Sequence, residues 1–185
     1  MKPTSLLWAV LASASILAAA PAAAHIVLER GSAPAGSGYK AVLRVTHGCE
    51  GAATTGITVQ VPPGFQGAKP QVKPGWSLAV TRKPLAQPYQ SHGRTISEDA
   101  AEIRWTATTP EAAVPSAYYD EFVLVGRLPD TAGPLWFKVL QTCEQGRRTD
   151  WAEVPASGTS TEGLREPAAL LDVTPDEHAG HQHAH

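Results

Sequence analysis

Apolar and polar residues alternate with a period of two through most of the chain, the spacing of half-buried β-strands. The clearest run is Tyr39 to Thr46, which puts Tyr39, Ala41, Leu43 and Val45 on one face and Lys40, Arg44 and Thr46 on the other. Thr55 to Val61 repeats it with Ile57, Val59 and Val61, and Pro62-Pro63-Gly64 stops it. Lys73-Pro74-Gly75 turns the chain into a third strand carrying Trp76, Leu78 and Val80, and Pro84 to Gly93 reads as loop. Ala101 to Ala107, Tyr118 to Gly126, Leu135 to Cys143 and Thr149 to Val154 follow as further strands. Short strands separated by turn signals predict an all-β fold, a sandwich or barrel.

Tyr118 to Gly126 carries a complication. Its two faces hold Tyr119, Glu121, Val123 and Val125 on one side, and Tyr118, Asp120, Phe122 and Leu124 on the other. Whichever face turns inward, a carboxylate lies at its edge, where an unpaired charge is costly. A donor network or a cation has to compensate it.

The ends of the chain differ from its middle. Lys2 followed by an apolar run to Ala20 and by Ala22-Ala23-Ala24 has the form of a cleaved export signal, and cleavage there would make His25 the first residue. The expected organisation is a signal peptide over 1–24, a β-sandwich over 25–155, and a linker with a His-rich tail over 156–185. Cleavage leaves 161 of 185 residues, enough for one domain with a sizeable core. The destination is periplasmic or secreted, with no transmembrane anchor after cleavage. Pro167 to Val173 reads either as a short strand or as a docked segment.

Composition narrows the function. Fifteen basic residues against 17 acidic ones, without a basic cluster, argue against nucleic acid as a partner. Cys49 and Cys143 both fall in the exported part and are read as one disulfide closing a 94-residue loop (143 − 49), with a thiolate pair for Cu(I) as the competing reading. No serine elbow accompanies them, so nucleophilic catalysis has no carrier.

The metal-binding candidates centre on His25. As a first residue it offers an α-amine and an imidazole Nδ1 that close a six-membered chelate ring, and nitrogen donors of this kind suit Cu(II). Asp120 and Glu121 are the candidate oxygen ligands, and His47 in His47-Gly48-Cys49-Glu50 is a second imidazole. His178, His181, His183 and His185 form an accessory metal-binding tail.

Ala24-His25-Ile26-Val27, Pro62-Pro63-Gly64, Lys73-Pro74-Gly75-Trp76, Tyr118-Tyr119-Asp120-Glu121-Phe122, Gly126-Arg127-Leu128-Pro129 and Trp151 together resemble the YcnI-like family of exported copper-binding domains. The resemblance implies an immunoglobulin- or cupredoxin-like antiparallel β-sandwich. It also implies Cu(II) held by an N-terminal histidine brace and a carboxylate, with a tryptophan nearby. Carried over, His25 is the brace and Trp151 the tryptophan, while the carboxylate is Asp120 or Glu121. The implied role is sequestration, delivery or homeostasis of copper rather than catalysis. Other periplasmic copper chaperones or a membrane copper transporter are the implied partners. The alternatives are a histidine-brace copper monooxygenase and a metal-free module for assembly or adhesion.

Overall fold

The structure is a computed structural model that describes residues 25–176, and within them the chain is an almost entirely β protein. The expected signal peptide and the four tail histidines lie outside the described residues.

Two sheets face each other. The first contains β1 (Val27–Leu28), β3 (Gly38–Val45), β5 (Gln66–Pro70) and β8 (Asp120–Arg127), in the order β1-β3-β8-β5. The second runs β2 (Ser32–Pro34), β11 (Ala169–Thr174), β9 (Gly133–Cys143), β4 (Thr54–Gln60), β7 (Arg94–Ala107) and β6 (Trp76–Ser91). In that sheet β10 (Arg148–Trp151) pairs antiparallel with the C-terminal half of β9. All ladders are antiparallel except that between β2 and β11.

Alternation decides which face is buried. Tyr39, Ala41, Leu43 and Val45 of β3 turn inward as their spacing predicts, as do Phe122 and Leu124 of β8. They meet Ile57 and Val59 of β4, Ile103 and Trp105 of β7, and Phe137 and Val139 of β9 in one continuous core. Trp105 and Phe122 pack edge to face with ring centres 5.7 Å apart, joining the two sheets.

Two expectations are corrected and one strand is added. The sandwich does not stop at residue 155: β11 lies between β2 and β9 and buries Ala169, Leu171 and Val173. Pro84 to Gly93 is not a loop. Strand β6 runs through Pro84 and Pro88 to Ser91, turns at His92-Gly93, and pairs back along β7. Both turn residues have positive φ, 47° and 73°, as a tight two-residue hairpin requires. The prolines fit because β6 is an edge strand, and the register shifts between Pro84 and Tyr89. Buried Asp99 holds this irregular stretch, accepting hydrogen bonds from the Tyr89 hydroxyl and the Gly67 amide, both at 2.7 Å. Finally, the segment Gln66–Pro70, which the alternation did not mark, forms β5 at the edge of the first sheet.

Candidate metal-binding pole

The ladder register brings the candidate residues to one end of the first sheet. Val27, Arg44 and Glu121 lie in one row across β1, β3 and β8. His25 lies two residues before Val27, and His47 lies two residues beyond Val45, whose partner is Asp120. From the second sheet, β10 contributes Trp151 to the same end. Its indole lies 5.8 Å from the His25 ring and 6.0 Å from the His47 ring, both contacts edge to face.

His47 is held by its loop. Glu50 and Gly51 have φ of 48° and 82°, and the Ala52 amide donates back to the Cys49 carbonyl at 2.9 Å, which closes a tight turn. Gly48 has no alternative here, since a Cβ would meet the Ala52 carbonyl oxygen at 1.7 Å. The Gly48 amide donates to Ser116 Oγ at 3.1 Å. Cys49 is bonded to Cys143 across 94 residues, so the disulfide reading holds. Nδ1 of His47 lies 2.7 Å from the Gly48 carbonyl. A carbonyl only accepts, so Nδ1 is the donor in this contact, which fixes the ring against its own turn.

His25 stands differently. Its Nε2 is buried with no hydrogen-bond partner, the single such side-chain atom among the described residues. An unsatisfied buried nitrogen costs about 1–3 kcal/mol, so it calls for a reason. The burial without a partner falls on Nε2 and spares Nδ1, the nitrogen that closes a chelate with the α-amine.

The carboxylates are engaged elsewhere. Lys73 Nζ donates to Asp120 at 2.6 Å, and it also sits 5.1 Å from the centre of the Phe122 ring. The compensation that the inward face of β8 requires is therefore a lysine from the segment between β5 and β6. Glu121 accepts a hydrogen bond from the Tyr119 hydroxyl, whose ring Arg44 covers at 5.7 Å. The Glu121 carboxylate raises the Tyr119 pKa by holding its proton, and burial adds to the shift. Asp120, Glu121, Lys73 and Trp105 line a cavity of about 230 Å³. Among the described residues, no three His, Cys, Asp or Glu side chains are grouped to hold a metal ion together. Asp120 and Glu121 are thus at the expected end of the sandwich but do not form a three-ligand cluster with the histidines.

Gln141 is a member of this pole that the candidate residues did not include. It is fully buried on β9 and binds Trp151, Thr54 and the His47 carbonyl at once. Its signal was in the sequence, as the one amide on an inward face otherwise formed by Phe137, Val139 and Cys143.

Three comparisons bear on this geometry. A model of the family described as "Domain of unknown function (DUF1775)", the family of YcnI-like domains, matches residues 25–173. No curated protein matches the chain. Among solved structures, an uncharacterized protein from Nocardia farcinica with an immunoglobulin-like fold is 26% identical, with a TM-score of 0.61. The match covers 80% of this chain and 97% of that one. The expected immunoglobulin-like sandwich is therefore the fold.

Proposed function

The chain belongs to the DUF1775 family, and on that premise we propose that it is an exported copper-binding protein. Its Cu(II) ligands are the α-amine and Nδ1 of His25 and the imidazole of His47, beside Trp151. The observation that carries this reading is the placement of both histidine rings on one indole, with the buried nitrogen of His25 being Nε2. Two imidazoles and an amine give three nitrogen donors, a set that favours Cu(II) among divalent ions.

The amine exists only after cleavage between Ala24 and His25. Before it, that nitrogen is an amide, so processing completes the site. A reference amine pKa near about 8 means that copper displaces a proton at neutral pH, and affinity falls as the medium is acidified. Among the described residues no helix is long and apolar enough to cross a membrane, and the disulfide is compatible with a periplasmic or secreted location. The role we propose is to hold copper and pass it to another copper chaperone or a membrane transporter.

The test is a Cu(II) titration of the mature chain beginning at His25 against the same chain with one added N-terminal alanine. In both, the tail histidines are replaced by alanine. The extension is expected to weaken binding by about two orders of magnitude or more, the scale of losing a chelating nitrogen. Equal affinities would sink the brace.

A further inference from the structure

Gln141 occupies a position that neither copper chemistry nor core packing by itself calls for. Its carboxamide is fully buried, on an inward face whose other members are apolar or disulfide-bonded. Oε1 accepts the Trp151 Nε1–H at 3.0 Å. Nε2 donates to Thr54 Oγ1 at 2.7 Å and to the His47 carbonyl at 2.8 Å. The orientation of the amide is dictated by its partners, because an indole N–H can only donate and a carbonyl can only accept. Both amide hydrogens and the oxygen are thereby committed.

These three partners belong to separate parts of the fold. Trp151 and Thr54 are on β10 and β4 of the second sheet, whereas His47 follows β3 of the first. Gln141 therefore ties the two sheets together beside the indole that both histidine rings contact. It sets the roll of the indole through Nε1 and the position of the His47 main chain through its carbonyl. The two imidazoles pack on the same indole from edge-on directions.

We propose that Gln141 is the positioning residue of this pole, fixing Trp151 and the His47 loop relative to each other and so setting the spacing of the two imidazoles offered to a metal ion. The inference rests on the copper-binding reading. An apolar side chain of similar length leaves the indole N–H and the His47 carbonyl without their partner. A glutamate still accepts from the indole but presents a carboxylate oxygen to the His47 carbonyl, where attraction becomes repulsion. The amide alone serves both.

The test uses the mature chain from His25, its four tail histidines changed to alanine, with Gln141→Met and Gln141→Glu beside the parent. Four readouts are taken: thermal unfolding, Cu(II) affinity by chelator competition, the Cu(II) electron paramagnetic resonance spectrum, and the Trp151 indole N–H resonance. Gln141→Met is expected to shift the indole resonance, alter the Cu(II) spectrum and weaken binding by about 10–100-fold, the usual cost of losing a group that orients a ligand. If Gln141→Met does not fold, Gln141→Glu carries the same comparison. A merely structural role would lower the unfolding temperature while leaving affinity and spectrum at parent values, and that result overturns the proposal. A parent protein without His25-dependent copper binding overturns the copper reading and this inference with it. Tight parent binding with unaltered variants overturns the role of Gln141 alone.

Discussion

At the end of β3 the imidazoles of His25 and His47 meet an aromatic face, whereas at the start of β8 the carboxylates of Asp120 and Glu121 meet a lysine and a tyrosine hydroxyl. Both groups occupy the same end of the first sheet. The carboxylates have a fold-internal reason to be there, since Lys73 and Tyr119 satisfy charges that β8 would otherwise leave at the edge of the core. The buried Nε2 of His25 has no such reason. Residue type and location therefore do not identify a ligand by themselves. What separates the two groups is the kind of neighbour each has: a cation and a hydroxyl hold the carboxylates, whereas both imidazoles pack against the Trp151 indole.

The sharpest way to break this contrast is to loosen the histidine side alone. Replacing Cys49 and Cys143 together by alanine opens the 94-residue loop and should cost up to about 4–5 kcal/mol in the chain-entropy model. Denaturant unfolding measures it, and copper affinity should fall with it because Cys49 anchors the His47 turn. Gly48→Ala acts on the same turn with less global effect. Its Cβ would strike the Ala52 carbonyl, so we expect a loss of about 1–3 kcal/mol together with weaker copper binding. Unchanged binding in a folded Gly48→Ala protein would separate the His47 loop from the metal.

On the carboxylate side the effects should be smaller and confined to stability. Lys73→Met removes a partly exposed ion pair and should cost about 1 kcal/mol or less, with Cu(II) affinity unchanged. A gain in affinity, from a carboxylate freed of its competing cation, would return Asp120 to the ligand set. The smallest effect concerns Tyr119. Its pKa is raised by the Glu121 hydrogen bond, so the folded protein holds that proton more tightly than the unfolded chain does. The resulting stabilisation is complete below the ordinary tyrosine value of 10.0 and disappears as pH rises through the raised one. Glu121→Gln should bring one tyrosine back toward the ordinary range in an ultraviolet titration, again without moving copper affinity at neutral pH.

Alternation made the strands legible wherever one face was buried, as in β3, where Tyr39, Ala41, Leu43 and Val45 all turn inward. It failed along β6 from Pro84 onward, where this edge strand is exposed on both faces, because nothing there sorts polar from apolar positions. The prolines completed the misreading. Of the candidate pole, His25, His47 and Trp151 could each be picked out from the chain, and the disulfide could be inferred from its two cysteines. The partnership of Lys73 with Asp120 could not be, since it joins residues 47 apart in sequence through a fold no spacing rule describes. Gln141 lay between these cases. Its polarity on an inward face was visible, but its three partners come from β4, β10 and the turn after β3, which only the packed sandwich brings together.

Copper held at the histidines and not at the carboxylates is the proposition on which the rest depends. Pulsed electron paramagnetic resonance on the Cu(II)-loaded mature chain, with the tail histidines replaced, counts the coordinated imidazoles directly. Two are expected, one of them lost in His47→Ala, with no change in Asp120→Asn or Glu121→Gln. A single imidazole whose spectrum shifts when Asp120 or Glu121 is neutralised would contradict it.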